Sequence, residues 1–112
     1  MIEFIESEYT FYGVADVSEV LNGQRIFISI GEDNIVVFNI AGKLFAIGDV
    51  CTHDGGPLGE GELDGYQVVC PRHGARFDVR NGKALTLPAV VDTPNYPVRI
   101  NGSEIEVGIR EE

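Results

Sequence analysis

Two short clusters constrain this chain more than anything else in it. The first is Cys51-Thr52-His53 and the second, after sixteen residues, is Cys70-Pro71-Arg72-His73. They contain both cysteines and both histidines of the 112-residue protein. A buried free cysteine is ordinarily an inert small hydrophobe, and a solitary histidine ordinarily a hydrogen-bonded one. Two matched pairs that use every such residue point instead to a metal. The contents of each pair matter as well. Zinc knuckles usually contribute like ligands, Cys with Cys or His with His. Here each half contributes one soft thiolate and one borderline imidazole.

The fuller motifs are Cys51-Thr52-His53-Asp54-Gly55-Gly56-Pro57-Leu58 and Cys70-Pro71-Arg72-His73-Gly74-Ala75-Arg76-Phe77-Asp78. They resemble the paired loops of Rieske-type 2Fe–2S ferredoxins, in which two Cys hold one iron and two His the other. The sixteen-residue spacing and the His-Gly of the second motif are also the family's, and the resemblance runs over nearly the whole chain. It implies that the cofactor- and metal-binding residues are Cys51, His53, Cys70 and His73, with the cysteines on the inner iron and the histidines on the outer. Two thiolates bring two ferric ions and two sulfides to neutrality, where four would leave a dianion. A neutral cluster accepts an electron more readily, so His ligation raises the potential. High-potential members of the family carry a disulfide across the loops and two hydroxyl donors to sulfur. The matching positions here are Gly56, Arg72, Ala75 and Phe77, which provide neither. The expected potential is therefore near the low end of the range, around −150 mV.

Composition narrows the rest. The length suits one domain spanning 1–112, and 44% hydrophobic residues make it globular. With both cysteines committed, no disulfide framework is available. Met1–Glu6 is acidic and has no basic region followed by an apolar run, so it reads as neither a secretory signal nor a transit peptide. No apolar stretch reaches the ~20 residues of a membrane span, and a cytoplasmic location is expected. A formal net charge of −10 argues against a nucleic-acid partner. Asp49, Asp54, Glu60, Glu62 and Asp64 lie in a stretch without Lys or Arg, which suits steering toward a basic partner.

Short runs bounded by turn signals suggest an all-β protein. Strands are expected at Tyr9–Ala15, Arg25–Ile30, Ile35–Ile40, Lys43–Ile47, Tyr66–Val69 and Arg76–Val79. Asp16 to Glu19 reads as a capping box opening a single helical turn. Gly31–Asn34 and Ala41-Gly42 read as turns. Pro88, Pro94 and Pro97 mark a long connection. The segments Val98–Ile100 and Glu104–Val107 form a hairpin with a type I′ signal at Asn101-Gly102. The glycines at 55, 56, 59, 61 and 65 are expected to let bare backbone approach the cluster and aim amides at it. The tail Arg110–Glu112 is expected to fray. The family resemblance implies an antiparallel β-sandwich base with a small cluster-binding subdomain at about 45–85, and a proline loop covering a third side of the cluster.

The implied role is one-electron transfer from a flavin-dependent reductase to a terminal oxygenase, as in aromatic-ring dioxygenase systems. The chain is too short for a flavin or mononuclear-iron domain, so it is read as a carrier and not an enzyme. Three alternatives stay open at this point: the Rieske-like small subunit of an assimilatory nitrite reductase, a structural zinc module, and a redox-sensing regulator or assembly factor.

Overall fold

Alternating apolar residues and β-branched runs, cut by Gly, Asn and Asp, set the pattern of a computed structural model that describes residues 8–110. The readings of Met1–Glu6 and of the last two residues of the tail lie outside the described residues. The strands are β1 (Tyr9–Asp16), β2 (Arg25–Ile30), β3 (Asp33–Ile40), β4 (Lys43–Gly48), β5 (Leu63–Asp64), β6 (Gln67–Val69), β7 (Arg76–Asp78), β8 (Asn95–Tyr96), β9 (Val98–Asn101) and β10 (Glu104–Arg110). Val17–Glu19 forms one 3₁₀ turn. Its capping box is present: the Asp16 carboxylate accepts from the Ser18 amide, and the Glu19 carboxylate accepts from the Asp16 amide.

The strands form three antiparallel sheets, ordered β1-β10-β9, β2-β3-β4-β8 and β5-β6-β7. The second sheet is the middle layer, and β3 shows why. Ile35 and Val37 face a core shared with Ala46 and Val107, against which Ile26, Ile28 and Ile30 of β2 also pack. Val36 and Phe38 face the other way, into a core with Ile47, Val68, Phe77, Cys51 and Cys70. A strand buried on both faces must be apolar at consecutive positions, which is the run seen in the sequence. Burying each such side chain is worth roughly 1.5–3 kcal/mol.

Three local expectations need correction. The turn after β2 is Gly31-Glu32 alone, because Asp33 and Asn34 already pair with Ile30 and Ser29. The last hairpin pairs Asn101 with Glu104, so its central residues are Gly102 and Ser103. Only Gly102 has positive φ, at 65°, which is the type II′ pattern and not type I′. The type I′ geometry occurs at Ala41-Gly42 instead, with φ of 55° and 85°. Finally, the proline-marked connection contains β8, which pairs with β4 through Ala46 and Ile47.

The third sheet carries the two motifs. The chain leaves β4, runs through Cys51–Leu58 and enters β5; β6 and β7 are joined by residues 70–75. Both motif loops thus sit on a small sheet fastened to the middle layer by the core that Val36 and Phe38 enter.

Candidate metal centre

The two loops have the same backbone plan. The Cys51 amide donates to the Gly56 carbonyl at 2.7 Å, and the Gly55 amide donates back to the Cys51 carbonyl at 2.7 Å. The Cys70 amide donates to Ala75 at 2.7 Å, and Gly74 donates to Cys70 at 2.9 Å. In each loop the residue four after the cysteine has left-handed φ, 76° at Gly55 and 75° at Gly74. Glycine accepts that conformation without the clash of a Cβ. Each loop therefore closes on itself with its cysteine at the base and its histidine at the crest.

This plan sorts the four side chains by chemistry. Cys51 and Cys70 are fully buried in the core. Their thiols lie within hydrogen-bonding reach of one another. The His53 and His73 rings are exposed and meet edge to face, with centroids 4.9 Å apart and planes at 87°. Among the described residues no three His, Cys, Asp or Glu side chains gather around one ion. The donors instead form an inner sulfur pair and an outer imidazole pair. A single tetrahedral zinc needs all four around one centre. Two irons bridged by sulfide need only two protein donors each, and the arrangement fits that group.

Backbone amides complete the sulfur environment. The amides of His53 and Asp54 donate to Cys51, and those of Arg72 and His73 donate to Cys70. Burial pushes the Cys51 thiol up, helped by its thiol neighbour. Burial acts on Cys70 in the same direction, but its amides, Cys51 and the Arg72 charge outweigh it and pull the thiol down. Some glycines near the loops make close contacts within the protein itself. Gly61, for example, lies so close to β6 that an added Cβ would stand 1.8 Å from the Val69 carbonyl oxygen.

Residues remote in sequence hold the loops. The Asp49 carboxylate accepts from the Leu58 and Gly59 amides at 3.0 and 2.6 Å. The Arg25 guanidinium, on β2, donates to the carbonyls of Gly59 and Gly61 at 2.5 and 2.6 Å and lies over the Phe38 ring. Nothing in the local sequence marks Arg25, which reads as a solvent-facing strand residue. The 86–91 segment lies beside both loops: Thr52 Oγ1 donates to the Val91 carbonyl, the Thr86 hydroxyl accepts from the Arg76 amide, and Ala89 joins the core around the cysteines. Ala75 and Phe77 are fully buried, and neither has a hydroxyl to offer. A cavity of about 820 Å³ elsewhere is lined by Phe45, Tyr66, Arg80, Tyr96 and Arg99, among others, and by none of the four motif residues.

The acidic stretch is less free than its sequence suggests. Asp49 is occupied by amides, Asp54 by Arg72 and Asp64 by Arg76. Glu60 and Glu62 remain exposed.

A family model described as the Rieske [2Fe-2S] domain matches residues 10–97. The 3-phenylpropionate/cinnamic acid dioxygenase ferredoxin subunit of Shigella boydii serotype 4 (strain Sb227) is 40% identical over 99 residues, spanning 88% of this chain and 90% of the relative. Among solved structures, the ferredoxin of carbazole 1,9a-dioxygenase from Nocardioides aromaticivorans IC177 superposes with a TM-score of 0.82 at 30% identity, covering 88% of this chain and 96% of that one. A chain from a complex of reduced oxygenase and oxidized ferredoxin in carbazole 1,9a-dioxygenase superposes with a TM-score of 0.83 at 27% identity, covering 91% and 95%. No helix among the described residues is long and apolar enough to cross a membrane.

Proposed function

This chain belongs to the Rieske [2Fe-2S] domain family, and on that premise we propose that it is a low-potential ferredoxin whose cluster is held by Cys51, His53, Cys70 and His73. One observation carries the ligand assignment: matching loops put sulfur with sulfur inside and imidazole with imidazole outside. The bound 2Fe–2S group supplies reversible one-electron chemistry. The chain does the rest. Two buried thiolates and four backbone amides fix the inner side, and two imidazole edges present the outer side to solvent. The cluster-binding part is taken as residues 45–85 of a single domain spanning 1–112.

The protein is an electron carrier and not the catalyst. It passes electrons from a flavin-dependent reductase to a terminal oxygenase, a role supported by its similarity to proteins named as ferredoxins of dioxygenases. Docking takes place at the histidine crest, on Asp54–Pro57 and Arg72–Gly74. Val90 and Val91, 77% and 60% exposed, extend that face with an apolar rim tied to the first loop through Thr52. Two unbridged cysteines suit a reducing cytoplasm.

The test is substitution of the four ligands in the purified, cluster-loaded protein. Cys51→Ser and Cys70→Ser should abolish the native cluster, since the soft iron–thiolate bond is lost. Unchanged optical and magnetic spectra for His53→Ala would refute the ligand set. Stable co-purification with a sirohaem-containing subunit would select the nitrite-reductase alternative.

A further inference from the structure

Gly56 and Arg72 face each other across the two loops. The guanidinium lies flat over Gly56, where an added Cβ would stand 2.7 Å from its central carbon. Arg72 sits on the second loop, yet most of its bonds go to the first. Its Nε donates to Asp54 Oδ2 at 2.6 Å and its Nη2 to Oδ1 at 2.9 Å. Its Nη1 donates to the Pro57 carbonyl at 2.7 Å. Nη2 also lies 3.5 Å from Cys70 Sγ, on its own loop. Asp54 Oδ2 is 3.4 Å from His73 Nε2. One planar cation thus touches an inner donor, and its counter-ion touches an outer one.

Three features separate this pair from an ordinary surface ion pair, which contributes little. The contact is bidentate, a geometry that only a guanidinium matches to a carboxylate. The Asp54 carboxylate also accepts from the Gly56 amide at 2.9 Å, so its position is fixed from its own loop. The cation and the anion each stand against a different ligand, so either charge alone would bias an electron arriving between them, and in opposite directions. An aspartate and an arginine carry opposite charges at neutral pH.

Building on the ligand assignment above, we propose that Asp54 and Arg72 form a charge-balanced clasp that locks the two ligand loops together and keeps the cluster potential low despite a cation beside Cys70. They are positioning residues. The clasp joins the loops without a covalent bridge, and its two charges cancel at the cluster.

The experiment compares cluster-loaded wild type with Asp54→Asn, Arg72→Gln, Arg72→Lys and the Asp54→Asn/Arg72→Gln double variant. Two quantities are read: the midpoint potential and the rate of iron release to a strong chelator. Asp54→Asn leaves an unbalanced cation and should move the potential up. Arg72→Gln leaves an unbalanced anion and should move it down. The double variant should return toward wild type. Arg72→Lys keeps the charge but not the fork, so its potential should stay near wild type. All four should release iron severalfold faster, because the loops are no longer joined. Shifts of Asp54→Asn and Arg72→Gln in the same direction, or no shift in either, overturn the charge balance. Release rates equal to wild type overturn the clasp. A wild type that assembles no 2Fe–2S cluster contradicts the proposed function instead, so the two failures are distinguishable.

Discussion

Arg25→Met removes a support of the cluster loops that the local sequence does not advertise. Methionine keeps the apolar stem that packs near Phe38 and deletes the donor that reaches Gly59 and Gly61. Hydrogen bonds to a charged group are worth about 1.5–3 kcal/mol each. Both carbonyls belong to buried residues, and losing the donor exposes them to an unmet desolvation cost. Half-burial already disfavours the guanidinium, which lowers the Arg25 pKa, and removing it returns part of the loss. The net cost is about 2–4 kcal/mol, a large fraction of the ~5–15 kcal/mol that holds a domain together. The consequence also reaches the metal site. Gly59–Gly61 lies against β6, and β6 delivers Cys70. Urea unfolding of the metal-free chain reads the stability, and iron content after purification reads the site. A destabilisation below about 0.5 kcal/mol, with full iron content, would show that these bonds do not support the loops.

Gly61→Ala drives a methyl group into the Val69 carbonyl, so it should cost more than about 4 kcal/mol and yield protein without a cluster, read by denaturation and colour. The midpoint potential should lie near −150 mV, measured by dye-mediated titration. Ala75→Ser should raise it if the hydroxyl reaches sulfur; a wild-type value well above zero would overturn the low-potential assignment. Acid should destabilise the metal-free chain. Burial pushes the Asp78 carboxyl up, but hydrogen bonds from Arg80 bring it below its ordinary value, and Arg72 does the same for Asp54. Carboxyls depressed in the folded state contribute stability that is complete above their unfolded pKa of about 4 and lost as pH falls through the folded value. Urea midpoints should therefore change little from pH 7 to 5 and fall by pH 3; a rise at pH 3 would contradict these pairings.

The signals visible in the sequence were the local ones. Period two in Ile26, Ile28 and Ile30 marked β2, the apolar run from Ile35 marked the doubly buried β3, and the capping box at Asp16 marked its turn. Two cysteines and two histidines gathered in two clusters pointed to a metal because so few residue types can serve one. Features decided by distant partners were hidden. The strands β5 and β8 are two residues each, too short for any period, and exist because β6 and β4 offer them edges. Arg25, Asp49 and Asp64 looked like solvent charges because the carbonyls, amides and arginine that engage them are brought up by the fold. Within the glycine run, the close approaches of Gly61 to Val69 and of Gly56 to Arg72 are set by residues distant in sequence. The hairpin turn slipped by one residue because Asn-Gly is a strong local signal, while register is set by the pairing of β9 with β10.

The proposed function has two sorted pairs of side chains hold a binuclear one-electron centre. It is tested most directly by iron and acid-labile sulfide analysis, combined with a reductive titration of the same sample. The expected result is about two irons and about two sulfides per chain, reduced together by about one electron. One zinc per chain, no sulfide and no electron uptake would contradict it.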